Sequence, residues 1–234
     1  MFKKYVILIQ VIFVIGIIVA EEKELLEVLR IASNLEEIKL YEKIFYKGDI
    51  SNKEVIIVKS NVGKVNAARV SQLLIDNFDI KLVINVGTAG SVNNILDIGD
   101  VVVANRLVQY DFDVTSFGRK LGEIENIGEY IEVEEDLLNL FDGLDITFGC
   151  IASGDKFIVN NEEKDSIKNI FNALCIEMEG ASIAQVCKLD NIPFLVIRSI
   201  TDKQDGSAKI EFEKFLESSS KRVVSILKDV IGRL

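Results

Sequence analysis

Histidine and tryptophan are absent from this 234-residue sequence, proline occurs once and cysteine three times. Without histidine the chain cannot form a Ser-His-Asp triad or a Cys-His pair, and the commonest metal ligand is missing. Cys150, Cys175 and Cys187 have no CxxC spacing. Isolated thiols of this kind are typical of small core residues in a reducing compartment and not of a structural zinc site. We therefore expect neither a metal nor a cofactor.

An excess of basic residues is also missing, since 27 Lys and Arg face 37 Asp and Glu, for a formal net charge of -10. With no basic cluster to offset that charge, binding to nucleic-acid phosphates is not expected. Hydrophobic residues make up 49% of the chain and the mean hydropathy is +0.27, as in globular proteins. No Pro- or Ser-rich linker divides the sequence, so residues 1–234 are predicted to form a single domain.

The N-terminal segment allows two interpretations. Lys3 and Lys4 precede an apolar run from Tyr5 to Ala20, which is similar to the start of a signal peptide and short for a transmembrane helix. Ile18, however, is too bulky for the small-residue cleavage site that a cut after Ala20 requires. The alternative is a parallel strand buried on both faces. The pattern alone favours neither, so export or membrane association through residues 1–20 stays open at this point.

Apolar, β-branched runs predict seven strands separated by amphipathic helices. The strands are expected at about Val11–Ala20, Val55–Ser60, Leu82–Val86, Asp100–Ala104, Ile146–Ala152, Ala173–Ile176 and Phe194–Ile200. Helices are expected around Leu25 and Ala67, over Ala181–Leu189 and over about Ile210–Ile231. This alternation predicts an α/β fold with a mainly parallel sheet and helices on both of its faces.

Glycine and polar residues follow several of the predicted strands. In Asn85–Ser91, Gly87 and Gly90 allow the backbone to approach a ligand, and Thr88 adds a hydroxyl. The segment is neither a GxGxxG fingerprint nor a Walker A loop. Further along, Phe157 follows another strand directly, where it either stacks on a flat heterocycle or fills the core. Each of these turns is weak evidence by itself.

Two segments that carry carboxyl groups give the strongest indication of a site. Ile176–Ala181 (IEMEGA) and Arg198–Asp202 (RSITD) each follow a short apolar run. Loops at strand ends of α/β folds converge on one crevice, so these two segments are expected to meet there. Burying charged groups at strand ends costs free energy unless they are paired or used. The charged groups concerned are Glu177, Glu179, Arg198 and Asp202.

Taken together, these segments resemble the 5'-methylthioadenosine/S-adenosylhomocysteine nucleosidases of the nucleoside phosphorylase superfamily. The matching segments occur in the family's order and are Gly16–Leu25, Asn61–Val65, Asn85–Gly90, Asp113–Gly118, Ser153–Ile158, Ile176–Glu179 and Arg198–Asp202. The resemblance implies a three-layer αβα sandwich with a central mixed sheet. It also implies hydrolysis of the N-glycosidic bond of small adenine thionucleosides, without a metal or a cofactor.

The resemblance also assigns roles to individual residues. It makes Asp202 the general acid that bonds purine N7 and protonates the departing adenine. It makes Glu24 the base that activates water, although the pattern alone explains Glu24 as a capping residue of the first helix. The substrate-binding residues that it implies are Val62, Thr88, Ala89, Gly90, Phe157, Ile158, Glu177, Met178, Glu179, Arg198 and Phe212. Among these, Phe157 would stack on adenine, Glu179 would hold the ribose hydroxyls and Phe212 would line the pocket for the 5'-alkylthio group.

The remaining implications concern assembly and the N-terminus. Val114 and Phe117 would cover the 5' pocket of a neighbouring subunit, which implies a homodimer. The family usually has Gly at Val19 and Met at Glu21, so the tip of the first strand is expected to differ in shape. Residues 1–12 precede the family's usual start and form an extension of uncertain role. Cleavage after Ala20 would remove the first strand, so the resemblance favours a cytoplasmic enzyme over an exported one.

Two other functions stay open. One is a phosphate-dependent purine nucleoside phosphorylase of the same superfamily, which is disfavoured because Glu24 would repel an attacking phosphate. The other is a surface-exposed binding protein, suggested only by the apolar N-terminal run. The sequence does not rank methylthioadenosine, adenosylhomocysteine and 5'-deoxyadenosine as substrates.

Overall fold

The computed structural model describes residues 13–203 and 208–234, with the backbone alone for residues 208–211. The extension 1–12, with Lys3 and Lys4 and the predicted start of a strand at Val11, lies outside the described residues. Within them, no helix combines the length and the apolar composition needed to cross a membrane.

Strands and helices alternate along most of the chain. The strands are β1 Val14–Val19, β2 Ser33–Leu40, β3 Lys43–Ile50, β4 Lys53–Lys59, β5 Ile80–Ser91, β6 Val101–Gln109, β7 Ile131–Glu132, β8 Thr147–Ser153, β9 Ala173–Glu177 and β10 Phe194–Asp202. The helices are α1 Glu22–Ile31, α2 Lys64–Asn77, α3 Glu135–Leu138, α4 Asn161–Phe171, α5 Gly180–Asp190 and α6 Ala208–Arg233. Each of the seven predicted strands and four predicted helices is present. The hairpin β2–β3, the short β7 and the helices α3 and α4 were not predicted.

One mixed sheet joins the strands in the order β10-β6-β8-β9-β5-β1-β4-β3-β2. Because β10 also pairs with β5, the strands β5, β10, β6, β8 and β9 close into a ring, and β1, β4, β3 and β2 extend from it. Parallel and antiparallel pairings are equally frequent. The mixed sheet that the resemblance implied is confirmed, and the mainly parallel sheet is wrong, because apolar periodicity marks a strand without marking its direction.

Strand β1 is the centre of the open part of the sheet. It is parallel to both β4 and β5, and every residue from Val14 to Val19 is buried. Side chains of a strand point alternately to its two faces, so both faces of β1 are covered. On one of them α2 comes very close, since a Cβ added at Gly16 would lie 2.4 Å from the Leu74 side chain. The interpretation of this run as a buried strand is therefore confirmed for Val14–Val19.

The helices form two outer layers, in which α1 packs against α6, and α2 packs against α5. Helix α6 also covers β5 and β10, the two strands that run to the polar segments predicted from the sequence. The hairpin β2–β3 escaped prediction because most of β2 is exposed and carries charged residues instead of an apolar run. The three-layer arrangement leaves the ends of β1, β5, β9 and β10 open to one cavity.

Candidate active site

A cavity of about 360 Å³ lies where these strands end. The sequence-predicted residues that line it are Glu24, Val62, Thr88, Ala89, Gly90, Phe157, Ile158, Glu177, Met178, Glu179, Asp202 and Phe212. Folding thus brings together residues that are far apart in the chain. Three predicted residues are not part of the lining. Arg198 lies behind the wall, and Val114 and Phe117 lie on a different loop.

Glu24 occupies the third position of α1 and is 3% exposed. Its Oε2 accepts hydrogen bonds from the backbone N–H groups of Ala20 and Glu21, both at 3.0 Å. This is the reach-back contact of a capping box. Its Oε1 accepts from the Thr88 amide at 3.0 Å and from the Thr88 hydroxyl at 3.2 Å. Glu24 is therefore both a helix cap, as the pattern alone suggested, and a fixed carboxyl group in the cavity wall.

Burial raises the pKa of Glu24, because desolvation penalises the charged carboxylate. The backbone donors and the nearby charge of Arg198 act in the opposite direction but do not cancel this effect. A carboxyl group with a raised pKa is a better proton acceptor than an ordinary surface glutamate. The environment of Glu24 therefore suits a general base.

Glu177 and Arg198 form a buried ion pair at the base of the cavity, with side chains that are 2% exposed. Glu177 also accepts from the Ser153 hydroxyl and from the amides of Glu179 and Gly180, at 3.0 and 2.7 Å. Its carboxylate thus caps the first turn of α5. These bonds occupy both oxygens of Glu177, so the carboxylate acts on the cavity mainly by orienting the groups around it.

Arg198 is held equally firmly behind the cavity. Its guanidinium donates to the side-chain and backbone oxygens of Asn85 and to the Ile197 carbonyl. These contacts fix a positive charge between Glu177 and Glu24, where it acts on both carboxyl groups. The cation is 1% exposed, so its influence on the cavity is electrostatic.

Glu179 is the N-cap residue that precedes α5, and it is 7% exposed. Its Oε1 accepts from the backbone N–H of Gly63 at 2.8 Å, which joins the turn before α2 to the cavity. Burial, reinforced by the charge of Glu177, raises the pKa of Glu179. A carboxyl group in this position can accept hydrogen bonds from the vicinal hydroxyls of a sugar.

Asp202, the last residue of β10, is 2% exposed. Its Oδ2 accepts from the ammonium group of Lys164 at 3.0 Å, and the Thr201 hydroxyl lies 3.0 Å from its Oδ1. The absence of a side chain at Gly90 makes room for it, since a Cβ there would lie 2.8 Å from Oδ2. The carboxyl group of Asp202 is thereby fixed at the opposite end of the cavity wall from Glu24.

Strand β5 separates the two carboxyl groups. Glu24 lies against Gly87, where an added Cβ would be 3.0 Å from its Oε1, and Asp202 lies against Gly90. Three residues of a strand span about 10 Å. A pair of carboxyl groups with several ångströms between them leaves room for a water and a bound sugar, as in inverting glycoside hydrolases. The geometry therefore suits protonation of a leaving group at one end and activation of water at the other.

An aromatic pair closes the side of the cavity. Phe157 is 45% exposed, and its ring contacts that of Phe212 edge to face, with the centroids 5.6 Å apart. Phe157 is thus not a core residue, while the neighbouring Ile158 is buried. A flat heterocycle fits beside an exposed aromatic ring of this kind. Among the described residues, no group of Cys, Asp and Glu side chains could hold a metal ion.

The loop with Val114 and Phe117 contributes nothing to the cavity of its own chain. Phe117 is 86% exposed, and Val114 is half-buried. A large aromatic side chain with this exposure is available to a second subunit, so the predicted role of this loop at a partner's pocket stays a prediction.

Sequence reasoning missed Lys164, which lines the cavity and pairs with Asp202. A signal was present in the sequence. Lys164 precedes Ile167 by three residues and Phe171 by seven, and all three are buried on one face of α4. A lysine at such a position in an otherwise apolar stripe indicates a buried charge and hence a buried partner. Because α4 was not predicted as a helix, this signal was not visible.

The chain is similar to known proteins of one superfamily. The sequence profile of the phosphorylase superfamily matches residues 14–232. The 5'-methylthioadenosine/S-adenosylhomocysteine nucleosidase of Staphylococcus haemolyticus is 37% identical over 224 residues, which cover 93% of this chain and 98% of the relative.

Two solved structures from Helicobacter pylori are also similar to the chain. One is a 5'-methylthioadenosine/S-adenosylhomocysteine nucleosidase bound to a pyrrolidine compound, and the other is described as a futalosine hydrolase. Each has a TM-score of 0.92 and 36% identity, and each comparison covers 95% of this chain and 99% of the other. The chain therefore belongs to the phosphorylase superfamily and, within it, to the 5'-methylthioadenosine/S-adenosylhomocysteine nucleosidase family.

Proposed function

We propose that the protein hydrolyses the N-glycosidic bond of 5'-methylthioadenosine and S-adenosylhomocysteine, releasing adenine and the corresponding 5-thioribose. The observation that carries the proposal is the placement of two buried carboxyl groups, Glu24 and Asp202, about three strand residues apart along β5. The family to which the chain belongs supports the same reaction.

The reaction needs one acid and one base. Asp202 donates a proton to N7 of the purine while the C1'–N9 bond breaks, and the bonding electrons leave with adenine. The sugar becomes oxocarbenium-like, as in glycoside hydrolysis. Glu24 takes a proton from a water molecule, whose oxygen bonds to C1'. Each contribution is typically worth ~10²–10⁴-fold in rate.

The other lining residues have positioning roles in this proposal. Glu179 accepts hydrogen bonds from the ribose hydroxyls, in exchange for its bond to the Gly63 amide, and Met178 packs under the sugar. Phe157 stacks on adenine, and the backbone of Ile158 bonds the edge of the base. Phe212 lies beside Phe157 and lines the space for the 5'-alkylthio group.

Water is favoured over phosphate as the nucleophile. An incoming phosphate would meet the Glu24 carboxyl group, and the cation that acts on Glu24, Arg198, already forms an ion pair with Glu177. A phosphorylase needs cationic or amide groups that are available to the anion. The arrangement around Glu24 therefore supports a hydrolase.

The direct test is incubation of the purified protein with 5'-methylthioadenosine, with and without inorganic phosphate, followed by chromatography of the products. We expect adenine and 5-methylthioribose at the same rate in both samples, and release slower by ~10²–10⁴-fold with Asp202→Asn. A ribose 1-phosphate that forms only with phosphate would instead identify a phosphorylase.

We also propose that the enzyme acts in the cytoplasm as a homodimer in which Val114 and Phe117 complete the partner's 5' pocket. The exposure of Phe117 supports this arrangement, and the central position of β1 supports retention of the N-terminal strand. Phe117→Ala is expected to raise KM for methylthioadenosine more than KM for adenosine, which lacks the alkylthio group. An active monomer in light scattering at the assay concentration would contradict the dimer.

A second candidate substrate is futalosine. The similarity to the Helicobacter pylori futalosine hydrolase, at 36% identity over 95% of this chain, favours it. Measurement of kcat/KM for futalosine and for methylthioadenosine on the same preparation decides between one substrate and two. Turnover of futalosine within ten-fold of methylthioadenosine, roughly 1.4 kcal/mol in transition-state binding, would establish both activities.

A further inference from the structure

The buried ammonium group of Lys164 has no place in the acid–base scheme above. Lys164 lies on α4, and its side chain is 2% exposed. Its Nζ donates to Asp202 Oδ2 at 3.0 Å and to the backbone carbonyl of Lys203 at 3.1 Å. The helix that follows the Phe157 segment is thus tied to the end of β10, where Asp202 lies.

Two charges are costly to bury, and removal of either partner from such a pair is strongly destabilising. The pair is also costly for a general acid, because a neighbouring ammonium stabilises the carboxylate form at the expense of the protonated form. An apolar residue at Lys164 would fill the stripe formed by Ile167 and Phe171 without either cost. Packing and stability therefore do not explain a lysine at position 164, which indicates a functional role.

We propose that Lys164 is a positioning residue that makes Asp202 a stronger proton donor to the departing purine. The inference rests on the proposed function. When the Asp202 O–H bond breaks and the N7–H bond forms, the electrons of the C1'–N9 bond pass to adenine and a carboxylate is left on Asp202. The ammonium of Lys164, bonded to Oδ2, stabilises this carboxylate as it forms. The second bond of Nζ, to the Lys203 carbonyl, holds the ammonium in place.

The stronger acidity of Asp202 has a consequence for the pH dependence of the enzyme's activity. A stronger acid also ionises at lower pH, and only protonated Asp202 can donate. Activity should therefore fall as the pH rises through the ionisation of Asp202, and Lys164 moves that fall to lower pH. Without Lys164 the acid is weaker but stays protonated to higher pH, so the maximal rate falls while the active range extends upward.

The other charged groups around Asp202 do not replace Lys164. The remaining charged residues of the cavity wall are Glu21, Glu24, Lys156, Glu177 and Glu179. Lys156 pairs with Glu163 at 2.6 Å, and Glu177 pairs with Arg198. Beyond β10, Lys203 pairs with Asp97. On β9, burial raises the pKa of the Cys175 thiol, and the charge of Asp202 contributes to raising it. The carboxyl groups would all hinder ionisation of Asp202, whereas the ammonium of Lys164, bonded to Oδ2, favours it.

The test compares Lys164→Met and Lys164→Arg with Lys168→Met, a control one turn further along α4 and outside the cavity wall. The pH dependence of kcat/KM for methylthioadenosine reports the ionisations of the free enzyme. In Lys164→Met we expect the decrease of kcat/KM at high pH (the basic limb of the profile) to occur about one pH unit or more higher. The maximal kcat/KM should be lower than in the wild type. Lys164→Arg keeps the charge and should keep the limb near the wild-type position, and Lys168→Met should match the wild type.

A folded Lys164→Met protein with an unchanged basic limb would overturn the proposal, even if its rate were lower, because a purely structural lysine affects the rate alone. Should Lys164→Met not fold, Lys164→Gln serves in its place. Titration of Asp202 by ¹³C NMR on aspartate-labelled protein, with Asp202→Asn for assignment, gives a second readout. It does not depend on turnover, so a wild-type protein without nucleosidase activity would refute the proposed function and still leave the effect of Lys164 on Asp202 measurable.

Discussion

Glu24 and Asp202 lie at the two ends of one cavity wall, each against a glycine of β5, yet they are held by different kinds of groups. Glu24 accepts four hydrogen bonds from neutral donors, three of them backbone amides. Asp202 is bonded to the ammonium of Lys164. Both side chains are almost completely buried.

The difference in bonding affects how readily each carboxyl group holds a proton. Neutral donors orient Glu24 without neutralising it, so burial still raises its pKa and its affinity for a proton. A bonded cation at Asp202 instead favours loss of a proton. Paired carboxyl groups in other hydrolases likewise differ in ionisation because their surroundings differ.

The largest effect is expected when the segment that positions one of the two carboxyl groups is removed. Deletion of residues 1–20 would remove β1, which pairs with β4 and β5 and leads into the helix that carries Glu24. Exposed strand edges and apolar faces would result, so we expect no soluble, folded product. Deletion of residues 1–4 is the control and should leave adenine release intact. A folded, active protein that begins at Glu21 would refute both the fold argument and the cytoplasmic assignment.

Neutral substitutions at each end test the two roles separately. Asp202→Asn can still bond N7 but cannot deliver a proton, and Glu24→Gln can still bond water but cannot accept one. Each should lower kcat by ~10²–10⁴-fold, while both proteins keep measurable affinity for adenine or methylthioadenosine by calorimetry. Turnover within a few-fold of the wild type would remove that residue from its assigned role.

The same two positions should differ in their effect on stability. Asp202→Ala leaves the Lys164 ammonium buried without its carboxylate, and loss of one partner of a buried pair costs about 3–5 kcal/mol. Glu24→Gln removes a carboxyl group whose pKa is raised on folding. Such a group lowers the stability of the folded state at pH values above its ordinary pKa and has no effect at pH values below it. We therefore expect Glu24→Gln to match or exceed the wild type in denaturant melts at pH 7 and Asp202→Ala to fall well below it. Equal losses of stability in Glu24→Gln and Asp202→Ala would contradict the difference inferred between the two positions.

The two glycines of β5 offer a smaller perturbation. An added Cβ would lie 2.8 Å from the carboxyl oxygen of Asp202 at Gly90, but 3.0 Å from that of Glu24 at Gly87. Gly90→Ala should therefore displace its carboxyl group further, with a loss of about 10² in kcat for a shift near 1 Å. Gly87→Ala should lose less. The reverse order in steady-state assays would show that the space beside Asp202 is not critical.

The smallest effect is expected at the Thr88 hydroxyl, one of the four donors to Glu24. As a base, Glu24 must be deprotonated, so activity rises with pH on the acid limb, and its raised pKa places that limb above the ordinary glutamate range. Thr88→Val removes a donor that favours the carboxylate, so the limb should move up by no more than about one pH unit. Thr88→Ser keeps the hydroxyl and should leave the limb in place. A downward shift in Thr88→Val would contradict the role of this bond.

Much of the fold followed from local pattern. The apolar runs predicted β1, β4, β5, β6, β8, β9 and β10, because a strand buried on both faces is apolar at nearly every residue. The exposed β2 and the short β7 escaped, since their sequences carry no such run. Most predicted site residues line one cavity because they follow these buried strands directly. Their catalytic and binding roles stay predictions.

The sequence by itself determined the buried strands and four of the helices, and it placed Glu24, Glu177, Glu179 and Asp202 at their ends. Only the tertiary structure decided the strand directions, the closure of β10 onto β5 and the partner of each buried charge. Glu177 became a helix cap paired with Arg198, and Asp202 acquired Lys164, 38 residues earlier in the chain. Periodicity along the chain reports how far each residue is buried. The identity of its neighbour depends on how separate elements pack, which no local pattern records.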